Sequence, residues 1–217
     1  MSTMNDERSL VRELARQVAE IAAERRMQEI TQRWRDVNAL RRPDRAPVWC
    51  RPVGCWKELL PKETLVCRTP WLREIEYGFR QVLVKREIDD DTPVDPWFAV
   101  RAVFRVSPEN VWGVDIGRHE STEEGGAWGF DPPLKTPEDF ERLRQPTYTY
   151  DEAETREALD RANDLLGDIL PVRLECGPHL SGTLCHYAAA LRGLSEIMWD
   201  MAIDPDLVHR LMAHVRD

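Results

Sequence analysis

The sequence predicts a parallel α/β architecture, and three observations predict it. Strand-length apolar segments alternate with amphipathic helical segments along most of the chain. Several helical segments carry start signals, Thr69-Pro70, Thr136-Pro137 and Asp204-Pro205. Ile169 to Leu174, Ile-Leu-Pro-Val-Arg-Leu, has the composition of a buried strand.

The elements follow in order. Residues 5–38 read as one long amphipathic helix, capped by Asp6, with Leu10, Leu14, Val18, Ile21, Ile30, Trp34 and Val37 on one face. Its register drifts through Glu24-Arg25-Arg26, which argues against a sustained coiled coil and leaves core packing or a homodimer contact as the role of the stripe. Residues 1–40 are thus expected to form an N-terminal helical arm and residues 41–217 the main domain, joined by the polar connector Arg41 to Arg45.

Ala46 to Cys50 is a short strand candidate, and Thr69-Pro70 starts a helix with Leu72, Ile75, Phe79 and Val82 on its apolar face. Arg86 to Val94 reads as a strand cut off by Pro93 and Pro96. Phe98–Val106 and Val111–Ile116 read as further strands in a β-rich insertion near residues 98–130. A helix from Asp151 to Leu166 is expected to stop on a left-handed Gly167. Helices are expected over 183–192, over 194–202 and from Asp204-Pro205 onward. The last is still periodic at Leu207, Leu211, Met212 and Val215 when the sequence ends, which predicts a longer parent chain. Three core strands, at 47–51, 87–94 and 169–174, are too few for a parallel barrel, which needs about eight strands and typically ~250 residues.

Composition narrows the function classes. The 217 residues carry 30 Lys and Arg against 39 Asp and Glu, a net charge of −9, so polyanion binding by counterion release has no warrant and no nucleic-acid partner is expected. No apolar run approaches the ~20 residues of a membrane span, and the charged N-terminus is no secretory signal. Five Cys fit reduced thiols better than a disulfide framework, and a cytoplasmic, soluble protein is expected.

Parallel α/β folds put their chemistry at the C-terminal ends of strands. Arg51, Cys55 and Lys57 follow the first candidate strand, and Asp89 to Asp91 and Asp95 the second. Glu175, Cys176, His179, Ser181, Thr183, His186 and Tyr187 follow the third. Arg51 can fork onto a carboxylate, and Asp91 can accept ligand N–H groups or face a cation. Cys176, His179, Cys185 and His186 are metal-ligand types without the spacing of a zinc module, so no metal site is expected. No phosphate loop, dinucleotide fingerprint or serine-hydrolase elbow is present.

Three of these clusters together resemble the uroporphyrinogen decarboxylase superfamily, which also holds corrinoid-linked methyltransferases. Pro47-Val48-Trp49-Cys50-Arg51-Pro52-Val53-Gly54-Cys55 is similar to the family's Pro-Val-Trp-x-x-Arg-x-x-Gly-Arg segment, with one residue fewer before the Arg. Asp91-Thr92-Pro93-Val94-Asp95-Pro96 resembles its strand-ending Asp with a Pro five positions on. Thr183-Leu184-Cys185-His186-Tyr187 matches its Thr-Leu-x-x-Tyr. The resemblance runs from about Trp34 to the end.

The resemblance implies a partial (β/α)8 TIM barrel, about the first three βα units, behind a long N-terminal helix. It implies a decarboxylase acting on the acetate groups of a tetrapyrrole without a cofactor, with Asp91 and Tyr187 as catalytic residues. Arg51, Lys57 and His179 would contact the substrate. The chain departs from the decarboxylases at Cys55, where they carry a second Arg. The alternative implied by the same resemblance is a zinc methyltransferase with a corrinoid protein as partner, whose His-x-Cys and later Cys ligands would lie beyond Asp217. A non-catalytic binding fragment is the third reading.

Overall fold

A computed structural model describes residues 4–123, 126–177 and 182–217. Its helices are α1 (Met4–Ala23), α2 (Arg25–Asn38), α3 (Trp56–Leu59), α4 (Pro70–Ile88), α5 (Glu152–Leu166), α6 (Leu184–Arg192), α7 (Leu194–Ile203) and α8 (Pro205–Arg216). Its strands are β1 (Phe98–Arg101), β2 (Phe104–Ser107), β3 (Gly117–His119), β4 (Gly129–Asp131), β5 (Thr147–Tyr150) and β6 (Val172–Glu175). The architecture is mixed α/β, mostly helical.

The N-terminal apolar stripe folds as two helices instead of one. Glu24 is extended between α1 and α2 (φ −60°, ψ 140°). The break lets the stripe re-phase where its register drifts. Val11, Leu14, Ala15 and Val18 pack into a core with Leu72, Ile75 and Phe79 of α4, while Met27 and Ile30 gather around Ile21 in a second cluster. Asp6 lies inside α1 and does not precede it.

The chain divides into two compact units, Met1–Arg101 with Ala153–Glu175, and Ala102–Glu152 with Cys176–Asp217. The division expected after residue 40 therefore falls inside the first unit, because α1 packs on α4.

In the first unit the segment leading into α4 is held by two carboxylates, one from α1 and one from α4 itself. Thr69 sits at the cap position but its side chain makes no cap hydrogen bond. Glu7 of α1 instead accepts from the N–H groups of Arg68 (3.0 Å) and Thr69 (3.2 Å), and these bonds hold its pKa below the ordinary value. Buried Glu76 accepts from the N–H groups of Val66 (3.1 Å) and Cys67 (2.8 Å) and from Arg80 Nε (2.8 Å). Burial pushes the Glu76 pKa up, and the hydrogen bonds from Cys67, Val66 and Arg80 more than reverse that push.

Between Glu7 and Glu76 lies Cys67, fully buried, whose thiol is pushed up to about 12, first by burial and then by the Glu76 carboxylate. The other four cysteines are exposed. A thiol titration of the native protein with a disulfide reagent is therefore expected to count four fast groups, the fifth appearing only in denaturant; five fast groups would contradict this packing.

Two expected strands are absent from the sheets. Residues 86–88 continue α4, because Val82, Lys85 and the residues after them keep helical hydrogen bonding until Asp89 turns left-handed (φ 64°). Residues 46–51 have no regular secondary structure and join no sheet; they are tied to the turn after α4 by the Asp91 N–H donating to Val48 O at 2.8 Å. The run from Phe98 to Val106, read as one strand, is two. β1 pairs in parallel with β6, Phe98 opposite Val172 and Arg101 opposite Glu175, while β2 pairs antiparallel with β5. The strand expected at 169–174 is β6, shifted to 172–175.

α5 stops after Leu166 as expected, but Gly167 does not have a positive φ. A Cβ there would meet Asn163 O at 2.7 Å, so glycine is needed for close approach and not for handedness.

The second unit holds the antiparallel pairs β2–β5 and β3–β4 and the helices α6 to α8. Val111–Ile116 is not a strand: Val111 and Gly113 both have positive φ (67° and 77°), so the segment curls. Trp112 and Val114 still point inward and pack with Leu134, Phe140, Leu191, Leu207 and Leu211. Gly193, at φ 92°, makes the corner between α6 and α7. Among the described residues no helix is long and apolar enough to cross a membrane.

Candidate functional site

The turn after α4 places three consecutive carboxylates against three different sources of positive charge. Asp89, left-handed and exposed, pairs with Arg26 of α2. Asp90 pairs with Lys85 and accepts from the N–H groups of Cys50 (2.8 Å) and Thr92 (3.0 Å). Asp91 is completely buried. It accepts from Arg33 Nη1 (2.6 Å), from Arg45 Nη1 and Nη2 (2.5 and 2.7 Å) and from the Val48 N–H (2.8 Å). Above it the Trp34 indole N–H donates to the Asp91 carbonyl at 2.7 Å.

Four donors on two oxygens saturate the Asp91 carboxylate in plane. Burial raises the pKa of Asp91, and the Arg45 fork, the Val48 N–H and the Arg33 charge outweigh it, so the group sits below the usual carboxylate range. Asp90 is likewise lowered: burial opposes, and Lys85, Thr92 and Cys50 prevail. Both are ionised at neutral pH, and neither can donate a proton there. Arg33, itself buried on α2, also forks onto Asp44 through Nε (2.8 Å) and Nη2 (2.7 Å), so two guanidiniums and two carboxylates form one network.

Arg51 stands differently. It is exposed, its guanidinium lies 5.2 Å from the centroid of the half-exposed Trp49 ring, and among the described residues it has no carboxylate partner. Cys55 is exposed, and so is Lys57 on α3. Arg51 and Asp91 thus belong to the same unit, with Arg51 open to ligand and Asp91 closed over by arginines.

Tyr187 lies on α6 in the second unit. Its hydroxyl accepts from the Gly182 N–H at 2.9 Å, and its ring tilts against Trp112 with centroids 5.8 Å apart. His186 stands edge-on to Phe130 at 5.4 Å. His179 falls outside the described residues. Among the described residues no three His, Cys, Asp or Glu side chains gather as a metal-binding group.

Sequence reasoning missed Arg33 and Arg45. A signal existed for each: Arg33 falls beside Ile30 and Trp34 on a helix face that is otherwise apolar, and Asp44-Arg45 immediately precedes the apolar run 46–50. It named Asp95 and Glu175 after separate candidate strands without foreseeing that they meet, and it passed over a groove, both in the first unit. At the end of β6 the Trp97 indole N–H donates to Glu175 (3.2 Å) while Arg173 stacks on the Trp97 ring at 4.0 Å. Asp95 beside them is raised, first by burial and then by the Glu175 charge, the arrangement that suits a proton donor. An open groove of about 470 Å³ runs between α4, β1 and α5, walled by Trp71, Phe79, Phe98, Val100 and Ala162. Glu74 and Arg101 also line it; Arg51 and Asp91 do not.

Compared with known proteins, the chain matches no family model, no curated protein and no solved structure.

Proposed function

We propose that this chain is part of an enzyme of the uroporphyrinogen decarboxylase superfamily, a partial (β/α)8 barrel that binds a carboxylated tetrapyrrole and decarboxylates its acetate groups. The observation that carries the reading is the exposed Arg51 guanidinium, over the Trp49 ring just after the segment 46–50 that is tied to the Asp90–Asp91 turn. A flat, unpaired guanidinium is the donor fork that a ligand carboxylate takes bidentately. The parallel pairing of β1 with β6 across α5 supports the strand–helix–strand repeat the barrel requires.

In this reading Arg45, half exposed, is the movable member of the Asp91 network. A ligand carboxylate that captures Arg45 would leave Asp91 with Arg33 and the Val48 N–H, freeing acceptor capacity for pyrrole N–H groups. The carboxylate would then face the cation formed when a pyrrole is protonated. That cation takes up the electron pair of the breaking C–C bond as CO2 leaves, and a carboxylate beside it stabilises the transition state electrostatically. Lys57 would act on a second carboxylate of the ligand.

The saturation of Asp91 favours a second reading, the corrinoid-linked methyltransferase of the same superfamily, which needs no free carboxylate at that position. The described residues do not fit its zinc centre, so no step through zinc is derived from them.

Uroporphyrin titrated into the protein is expected to quench Trp49 emission by energy transfer into the tetrapyrrole band. Arg51→Ala should weaken binding roughly tenfold or more, the loss of one charge-assisted contact. A dissociation constant unmoved by Arg51→Ala overturns the clamp. Binding of a corrinoid in preference to uroporphyrin, with no coproporphyrinogen formed from uroporphyrinogen, would transfer the assignment to the methyltransferase.

A further inference from the structure

We propose that the free edge of β1 takes an added β-strand, an extended peptide that seats its apolar side chains in the groove between α4 and α5. The inference rests on the β1–β6 pair and is independent of the reading above. These two strands make a sheet of their own, so β1 has a neighbour on one side only. The Phe98 N–H donates to Pro171 O at 2.9 Å, which turns the backbone groups of Phe98 and Val100 toward β6. By alternation the N–H and C=O groups of Ala99 and Arg101 point the other way, and among the described residues they meet no partner there. Such a row of open groups is what another backbone completes.

The groove follows that edge. Phe98, Ala99, Val100 and Arg101 all line it, although their side chains alternate between the two faces of the sheet, so it runs along the backbone of β1. Gly78 of α4 keeps it clear. Glycine inside a helix weakens the helix, and a Cβ at Gly78 would meet nothing within 4 Å, so no packing within the chain asks for it. Across from it Ala158 and Ala162 of α5 are small as well.

The sheet sets the chemistry of its occupant. Phe98 and Val100 share a face with Val172 and Leu174, and Phe98 meets Phe79 of α4 with ring centroids 5.9 Å apart. Ala99 and Arg101 share the opposite face with Arg173 and Glu175. A strand that continues this sheet therefore alternates apolar residues toward the helices with polar residues on the far side. The walls carry one charge of each sign, Glu74 and Arg101, so the occupant needs no net charge. A small apolar ligand fits less well, since such ligands bury most of their surface in concave sites and this groove is open.

The probe is the neutral peptide acetyl-Thr-Val-Thr-Val-Thr-amide, and the readout is amide hydrogen exchange of the whole chain. Without peptide, Ala99 and Arg101 should exchange roughly tenfold faster than Val100, whose N–H faces β6. At about 1 mM peptide both should slow several-fold. Two N-methylated peptides, one blocked at the Val amides and one at the Thr amides, test the mode. A strand offers one edge to β1, so one version should fail and the other should still act. Gly78→Leu fills the groove and should abolish the slowing, with a urea midpoint at or above that of wild type.

Ala99 and Arg101 amides as protected as Val100 in the free chain overturn the proposal, because the chain then covers that edge itself. So does an absence of slowing at about 1 mM peptide, and so does slowing that survives Gly78→Leu. Slowing by both methylated peptides, or equally by the dye anilinonaphthalene sulfonate, would assign the groove to a small apolar ligand instead. Protection that grows with protein concentration in the absence of peptide would assign the edge to a second copy.

Discussion

Replacing Asp91 with alanine is expected to destabilise the first unit by about 3–5 kcal/mol, the range for removing one partner of a buried ion pair. The reason lies in what is left behind. Arg33 keeps Asp44, but that carboxylate is two-thirds exposed and cannot replace a fully buried one. Arg45 loses both arms of its fork, and the Val48 N–H is stranded without an acceptor. Asp91→Asn is the sharper variant. It keeps the shape, removes the charge, and turns an amide NH2 toward guanidinium donors. Urea unfolding of either variant should show a lower midpoint with an unchanged slope. If Asp91→Asn unfolds at the wild-type midpoint, the network is not the fastener described here.

The pH dependence follows with a definite sign. The folded pKa of Asp91 lies below its unfolded value, so its contribution is complete above the ordinary carboxylate range and drains away as pH falls through the folded pKa. Asp90 and Glu76 drain in the same direction, so wild-type acid loss alone does not isolate Asp91. The difference between wild type and Asp91→Asn does. It should be full at pH 6–7, begin to close below about pH 4, and vanish in stronger acid. A difference that is constant with pH would show that a neutral contact, not the ion pair, is lost.

The same network shows which parts of the fold were legible in the sequence. Two helix starts were, because a cap is a local event, although Asp6 lies inside α1 and Thr69 makes no cap bond. Asp204 accepts from the Leu207 N–H as a residue followed by Pro should, and Thr136 forms a capping box with Asp139. Strand pairing was not, because partners far along the chain decide it. Nothing within Phe98–Val106 announces that its first half serves β6 and its second half β5. Val111–Ile116, read as a strand, buries Trp112 and Val114, yet two left-handed residues remove the segment from any sheet. Arg51 was legible as an open guanidinium. The state of Asp91 was not, since its acidic neighbours suggest a solvated loop and the cations that bury it come from 46 and 58 residues away.

Arg192→Ala is expected to have an effect of similar size in the second unit. Arg192 ends α6, and its guanidinium uses three nitrogens at once. Nε and Nη2 fork onto Asp200 of α7 (2.8 and 3.0 Å), and Nη1 reaches the carbonyls of Leu134 and Lys135 (2.9 and 2.8 Å). The Leu134 N–H returns to the Leu191 carbonyl at 3.0 Å, so one residue ties α6, α7 and the segment after β4. Alanine leaves a buried carboxylate with no cation and two carbonyls with no donor, about 3–5 kcal/mol in total. Lysine keeps the charge as a single point and should recover less than half of the loss, since the planar fork is what spans both partners. Arg192→Met with Asp200→Leu removes both charges and should be less damaging than Arg192→Ala alone, because no ion is then buried unpaired. Hydrogen exchange provides the spatial check. Amides of α6 to α8 should lose protection in Arg192→Ala while those of α1 and α4, in the other unit, keep theirs. Equal loss in both groups would mean that the two units unfold as one, and a lysine variant as stable as wild type would reduce Arg192 to a simple charge.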